Sequence, residues 1–202
     1  DDYVGGLDFS RDGTLMASSG WDGRFRIWST AGIKARTYKG HSSPTTFTAF
    51  SPNGNLVASA GMDHSIRIWQ RDSAQVVKIL DAGKEPVYQL AFSPDGKRLV
   101  SGGQEETLRI WDWGRGRYQR LVGHDEPVAA VALRPDGAQL ASGSWDGRVG
   151  LWSFPGGKLE RMLSGHRQRI YGLAYNPDGK LLASGSSDLT IRVHDSSKNH
   201  QN

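Results

Sequence analysis

The sequence lacks most of the features that restrict where a protein resides or what chemistry it performs. Cysteine is absent from the 202 residues, which excludes disulfide bonds and thiolate metal ligands and leaves the redox compartment open. No apolar run approaches the roughly 20 residues of a transmembrane helix, so no membrane span is predicted. The net charge is +4 without runs of like charge, so nucleic acid is not indicated as a partner. No secretory signal opens the chain, and we expect a cytoplasmic protein.

What the sequence does contain is a turn motif that recurs through the whole chain. It reads SRDG at 10–13, SPNG at 51–54, SPDG at 93–96, RPDG at 134–137 and NPDG at 176–179, so the step is 41 or 42 residues. Self-similarity at this period indicates a repeat architecture. We divide the chain into five repeats and a polar tail, with approximate bounds 1–41, 42–83, 84–124, 125–166, 167–194 and 195–202.

Each repeat contains short apolar segments separated by turn residues. The fourth repeat shows them as VAAVAL at 128–133, QLASG at 139–143, RVGLW at 148–152 and LERML at 159–163. Short runs bounded by Pro-Asp-Gly and similar turns are typical of β-strands. Four strands in each repeat predict small antiparallel sheets stacked radially as a β-propeller. The predicted fold is all-β, with four complete four-stranded blades and three strands of a fifth.

The spacing of Gly-His, Ser, Asp and Trp, together with the SPDG turns and runs such as IRIW, resembles WD40 repeats over the whole chain. The resemblance implies a ring whose last blade is usually completed by an N-terminal strand. That strand is missing at both ends, so we expect a ring not closed by the usual strand exchange. Two explanations stay open: a segment of a longer propeller of seven blades, which we prefer, or a chain that closes by pairing with a second copy or another chain.

The resemblance also implies a hydrogen-bond chain inside each blade, in which Asp and Ser hold the two nitrogens of a histidine and the serine accepts from an indole. The expected members are His41, Ser59, Asp63 and Trp69; His124, Ser142, Asp146 and Trp152; and His166, Ser184 and Asp188, with His194 in the place of tryptophan. Blade 3 has Ala82 and Gly83 instead of Gly-His, and Glu105 instead of Asp. We predict that apolar packing mainly holds this blade and that it is the softest complete one.

Serine, histidine and aspartate in one repeat could also suggest nucleophilic catalysis. An enzyme needs such a triad once, beside an oxyanion hole and a substrate pocket, whereas here the set recurs. His41, His124 and His166 belong to different blades, so they are not expected to converge on one metal ion. We predict that the protein is not an enzyme and has no catalytic, cofactor or metal site.

Aromatic residues in the predicted loops favour a docking surface. In proteins that this chain resembles, partners contact the face that bears the loops between strands d and a and between strands b and c. The candidates there belong mostly to residue types enriched at binding hot spots: Tyr3, Trp21, Met62, Tyr88, Trp145, Arg169 and Tyr171. We therefore predict a non-catalytic scaffold for other proteins or peptides. A competing interpretation is that each indole only covers apolar surface of a neighbouring blade.

Two further observations bear on function. The regular repeats resemble those of large multi-repeat bacterial proteins that join propellers to signalling domains, which favours a signalling role. Arginine recurs two residues before the Trp or His position, at Arg26, Arg67, Arg109 and Arg192. This pattern favours a structural position whose aliphatic stems cover a blade flank. The alternative is recognition of an anionic ligand (phosphopeptide, nucleic acid or acidic lipid) by Arg and Lys on the edge or face, with strong salt dependence.

Overall fold

The computed structural model describes residues 3–196, which form nineteen β-strands and no helix. Most of the tail predicted at 195–202 lies outside the described residues, as do residues 1 and 2. The last strand ends at Asp195. No helix capable of spanning a membrane occurs in the described part of the chain.

The strands follow one another in five groups, numbered here as blades 1 to 5. Blade 1 contains β1 Val4–Phe9, β2 Leu15–Gly20, β3 Arg24–Ser29 and β4 Gly32–Lys39. Blade 2 contains β5 Thr45–Phe50, β6 Leu56–Gly61, β7 Ser65–Gln70 and β8 Val76–Asp81. Blade 3 contains β9 Val87–Phe92, β10 Leu99–Gly103, β11 Thr107–Asp112 and β12 Arg117–Val122. Blade 4 contains β13 Val128–Leu133, β14 Gln139–Ser144, β15 Val149–Ser153 and β16 Leu159–Leu163, and blade 5 contains β17 Ile170–Tyr175, β18 Leu181–Ser186 and β19 Ile191–Asp195.

Each blade is one antiparallel sheet whose strands pair in the order of the sequence. The first strand of each blade lies beside the first strand of the next blade, so the sheets stack around a common centre as a propeller. Among the described residues no hydrogen bonds close the ring between blades 5 and 1. The predicted all-β propeller, with four complete blades and three strands of a fifth, is confirmed.

The recurring turn motif closes the first hairpin of every blade. In blade 3 the Ser93 hydroxyl donates to Asp95 at 2.6 Å and accepts from the Arg98 amide at 2.9 Å. Gly96 between them has a φ of 70°, a left-handed conformation that glycine adopts without a steric penalty. These local bonds explain why strands begin and end at a fixed distance from each SPDG-like motif.

The hydrophobic core lies between consecutive blades rather than within one sheet. Between blades 3 and 4, Leu108 and Ile110 of β11 belong to one buried cluster with Val131 and Leu140 of the next blade. Similar clusters join blades 1 and 2, 2 and 3, and 4 and 5. Each internal blade therefore buries apolar side chains on both of its faces.

Candidate functional site

The Ser-His-Asp set of blade 4 forms a closed chain of hydrogen bonds. His124 Nδ1 lies 2.9 Å from Asp146 Oδ2, and His124 Nε2 lies 2.7 Å from Ser142 Oγ. The indole of Trp152 donates to the same serine oxygen at 2.8 Å. Ser142 is fully buried. Its hydroxyl thus donates to the imidazole and accepts from the indole, and no reacting atom can reach it in this arrangement.

The same geometry recurs in blades 2 and 5. The distances are 2.9 Å for His41–Asp63, 2.7 Å for His41–Ser59, 2.8 Å for Trp69–Ser59, 2.9 Å for His166–Asp188 and 2.8 Å for His166–Ser184. In blade 5 the Nε2 atom of His194 lies 2.9 Å from Ser184 Oγ. An imidazole N–H therefore takes the position of the indole donor, as its place in the repeat suggests.

Burial and hydrogen bonding together determine the charge state of the blade 2 network. Burial lowers the pKa of His41, although Asp63 opposes this effect. Burial also acts to raise the pKa of Asp63, but hydrogen bonds from His41 and Ser65 outweigh it and hold that pKa at about 2. At neutral pH the network therefore pairs a neutral imidazole with a carboxylate.

Blade 3 replaces the missing histidine with an ion pair. Arg109 Nη2 lies 2.7 Å from both carboxylate oxygens of Glu105, and Arg109 Nη1 donates to the Ala82 carbonyl. A β-carbon on Gly83, which has a φ of 101°, would lie 3.2 Å from both Arg109 and Glu105. The prediction of mainly apolar packing did not foresee this ion pair, although the acid–arginine spacing of four residues was visible in the sequence. The softness of blade 3 stays a prediction.

The recurring arginines of the third strands mostly face an acidic residue in the preceding turn. Arg26 contacts Asp22 at 2.7 Å, and Arg67 lies 3.6 Å from Asp63. In blade 4, where glycine breaks the pattern, Arg148 supplies the cation and contacts Asp146 at 2.9 Å. Together with Arg109 of blade 3, these arginines therefore each have an acidic partner within the protein, which makes them less available to an anionic ligand.

A β-bulge at the start of each first strand aims side chains at one end of the propeller. The register shifts between Val87 and Gln89 in blade 3, so Tyr88 is the extra residue there. The same shift makes Tyr171 the extra residue in blade 5. Bulges re-aim side chains and interrupt the ladder. The amide of Trp145 donates to the Pro127 carbonyl at 2.9 Å, which brings the turn before β15 to the same end.

Four of the seven predicted partner-binding residues come together there, and we call them the aromatic cluster: Tyr88, Trp145, Arg169 and Tyr171. The rings of Tyr88 and Trp145 are stacked with centres 5.8 Å apart. The Tyr171 ring centre is 6.5 Å from the Trp145 ring centre, and Arg169 Cζ is 4.1 Å from the Trp145 ring centre. The cluster therefore joins blades 3, 4 and 5, and Arg169 makes a cation–π contact.

Exposure differs within the aromatic cluster. Arg169 and Tyr171 are exposed, whereas Tyr88 and Trp145 are half-buried. The Tyr88 hydroxyl donates to the side-chain oxygen of Gln104. The buried Nε1 of Trp145 has no acceptor among the described residues. Trp145 thus forms the floor of the cluster, and Tyr171 and Arg169 its accessible part.

The other three predicted residues lie apart from the aromatic cluster. Tyr3 and Trp21 contact each other in blade 1, with ring centres 5.4 Å apart, and both are exposed. Met62 is half-buried and belongs to blade 2, which separates the Tyr3–Trp21 pair of blade 1 from the aromatic cluster of blades 3 to 5. The seven residues therefore do not form one continuous patch of rings.

Sequence reasoning missed a half-buried carboxylate, Asp8, on the first strand of blade 1. Asp8 lines a cavity of about 340 Å³ bordered by blades 1 to 4, and its Oδ2 accepts from the Phe50 amide at 2.7 Å. Burial raises its pKa to about 6, although hydrogen bonds from the backbone oppose this effect. The aligned positions of the other repeats hold Ala49, Ala91, Ala132 and Ala174. That single departure from alanine was the available signal.

No three His, Asp or Glu side chains of residues 3–196 are grouped so that they could hold a metal ion. His41, His124 and His166 each face the aspartate of their own blade.

Comparison with known proteins assigns all five repeats to one family. The family model described as "WD domain, G-beta repeat" matches residues 1–29, 32–70, 74–112, 116–153 and 157–195. A comparison with curated proteins found no match.

Proposed function

The chain belongs to the WD40 repeat family, and from this membership we propose that it is a non-catalytic scaffold that binds other proteins or peptides. Propellers of this family commonly serve as protein-interaction scaffolds and are typically not enzymes. Their loops lie on a rigid framework, which is the arrangement that favours recognition.

The single observation that carries the proposal is the contact of Tyr88, Trp145, Tyr171 and Arg169 across three blades. Trp, Tyr and Arg are the residue types most enriched at binding hot spots, because they bury large areas and retain a polar group. The exposed Tyr171 and Arg169 can contact a partner directly. The half-buried Tyr88 and Trp145 hold them in place, so little conformational entropy is lost on binding.

The buried networks support the non-catalytic part of the proposal. A nucleophilic serine needs access to its substrate and a free lone pair. Ser142 is buried, and the imidazole of His124 and the indole of Trp152 both engage its oxygen. We propose that these serines stabilise blades rather than react.

Peptides selected from a random display library on the wild-type chain provide the test. Binding of a selected peptide should weaken at least about tenfold in Trp145→Ala and in Tyr171→Ala, because each substitution removes a hot-spot ring. Tyr118→Ala is the matched control for Tyr171→Ala. Tyr118 is about as exposed as Tyr171 but lies on the outer strand β12, away from the aromatic cluster. Equal binding by all three variants would show that the aromatic cluster is not the docking site.

Salt dependence separates this proposal from recognition of an anionic ligand. Binding through the aromatic cluster should change little between low and high salt, whereas phosphate recognition by arginines should weaken steeply. The ion pairs of Arg26, Arg67 and Arg109 favour the first outcome. The cytoplasmic location and the signalling role stay predictions. Fractionation of cells that express the protein would check the location.

A further inference from the structure

The outer strand of blade 3 has an edge that pairs with no other strand of residues 3–196. β12 is the last strand of its sheet, whereas β9 at the other end of the sheet contacts the first strands of blades 2 and 4. Because blade 3 has a neighbour on each side, the free edge of β12 is a property of its position at the rim of the propeller. The backbone N–H and C=O groups of such an edge can pair with a further strand.

β12 differs from the other outer strands in the regularity of its pairing. Its six residues pair with β11 in unbroken register, from Thr107 opposite Val122 to Asp112 opposite Arg117. The pairs β3–β4, β7–β8 and β15–β16 each contain a register shift beside the tryptophan of the third strand. Bulges interrupt a ladder and are one means by which proteins protect sheet edges. Of the four complete blades, only blade 3 lacks this protection at its outer strand.

Three exposed side chains alternate along one face of β12: Tyr118, Arg120 and Val122. The ring centre of Tyr118 lies 4.7 Å from that of Trp111 and 4.9 Å from Cζ of Arg109, so this ring is fixed in place. The face therefore offers two apolar side chains with a cation between them.

The charge of β12 selects the chemistry of an added strand. The strand carries Arg117 and Arg120 and no acidic residue. The ion pairs of this blade are formed by Arg109 and Arg115, and within residues 3–196 neither Arg117 nor Arg120 takes part in one. Two copies of β12 would bring like charges together, which disfavours a second copy of this chain. Carboxylates opposite the arginines would instead form favourable cross-strand pairs.

We infer that β12 binds an extended acidic segment of another protein, which adds to blade 3 as a fifth strand. Backbone hydrogen bonds supply affinity in this mode of binding, and alternate side chains supply specificity. The segment has an acidic residue opposite Arg120 and apolar residues two positions before and after it, opposite Tyr118 and Val122. This pattern is the same in both chain directions. The surface is separate from the aromatic cluster and does not depend on the proposed function.

A restricted peptide library tests the inference. Seven-residue display peptides with Glu, Gln or Lys at position 4 and random residues elsewhere are selected on the wild-type chain. We expect peptides with Glu at position 4 and apolar residues at positions 2 and 6. Their binding should be unchanged in Trp145→Ala, which distinguishes them from ligands of the aromatic cluster.

Reversal of one charge on β12 provides the decisive measurement. Arg120→Glu should weaken binding of a selected peptide about tenfold, and it should favour the same peptide with Lys at position 4, because the cross-strand pair changes sign. Lys39→Glu is the matched control, since it makes a similar change on the bulged outer strand of blade 1 and should leave binding unchanged. Thermal unfolding checks that Arg120→Glu is folded, which is expected because Arg120 is exposed.

Backbone methylation separates strand addition from simple attraction of charges. A selected peptide with N-methyl groups along one edge should lose binding, and the peptide methylated along its other edge should retain it. Hydrogen exchange should show protection of β12 amides when the unmodified peptide is bound. A library without binders, binders that all depend on Trp145, a preference for Glu that persists in Arg120→Glu, or equal binding of both methylated peptides would each overturn the inference.

Discussion

Blades 3 and 4 are neighbours with the same strand order. Different side-chain contacts, however, join the loop that enters each blade to the turn before its third strand. Blade 4 uses a hydrogen-bond chain through the buried His124, whose ring nitrogens face Asp146 and Ser142. Blade 3 uses Arg109, which pairs with Glu105 and stacks on Tyr118 with its Cζ 4.9 Å from the ring centre. The tryptophan–serine hydrogen bond is common to both blades.

The four complete blades share one part of the repeat. In each of them the indole donates to the serine and so joins the third strand to the second. The histidine fixes the loop that enters the blade, and an arginine from the third strand can do this instead. The replacement has a cost, because Arg109 Nε is buried without an acceptor among the described residues.

The largest expected effect comes from removing the carboxylate of blade 4. Asp146→Ala should lower the free energy of unfolding by about 3 kcal/mol, because His124 Nδ1 and two backbone amides lose their buried acceptor. Asp136→Ala, which removes an exposed carboxylate from a turn of the same blade, should cost less than about 1 kcal/mol. Denaturant unfolding of both variants measures the difference. Equal losses would mean that the network adds nothing beyond a surface ion pair.

Acidification should distinguish a histidine blade from blade 3. The folded state lowers the pKa of Asp63 from 3.8 to about 2, so the stability that its carboxylate adds is complete above 3.8 and is lost as the pH falls toward 2. The lowered pKa of His41 acts in the same direction. The stability that its neutral imidazole adds is complete above pH 6.5, the ordinary pKa of histidine, and declines below that pH. Blade 2 should therefore lose about 2 kcal/mol of local stability on acidification. Blade 3 has Ala82 and Gly83 in place of Gly-His, so it should lack the part of the loss that begins below pH 6.5.

Native-state hydrogen exchange measures this loss of local stability, by comparing the amides of β6 and β7 in blade 2 with those of β10 and β11 in blade 3 as the pH is lowered. The same experiment at neutral pH checks whether blade 3 is the least protected of the complete blades. In Asp63→Asn the acid-induced difference between the blades should shrink. Parallel losses in blades 2 and 3 would contradict the assignment of the pH dependence to the histidine network.

The smallest expected effect is the loss of the blade 3 ion pair. Glu105→Ala should cost about 1–2 kcal/mol, because Arg109 keeps its bond to the Ala82 carbonyl and its contact with Tyr118. Glu106→Ala is the control, since Glu106 is the exposed neighbour. Thermal unfolding of the two variants gives the comparison. A loss as large as that of Asp146→Ala would show that the two blades depend equally on their acidic residues.

The spacing of the turns predicted the strands, and the resemblance to WD40 repeats implied the partners of the histidines. A Pro-Asp-Gly turn every 41 or 42 residues sets where strands begin, and the pairing of Ser142 with Trp152 follows from their register in adjacent strands. The ion pair of Glu105 and Arg109 also has a local signal, but the family pattern drew attention to the missing histidine instead. Asp8 and its raised pKa could not be predicted, because the acceptor role depends on the Phe50 amide of another blade.

The sequence by itself determined the number of repeats, the turns and the composition of each blade, because these follow from hydrogen bonds between residues close in the chain. Only the tertiary structure decided that Tyr88, Trp145 and Tyr171 meet while Tyr3 and Trp21 form a separate pair. That outcome depends on which loop side chains of neighbouring blades come within reach of each other, and the spacing within one repeat carries no information about contacts between blades.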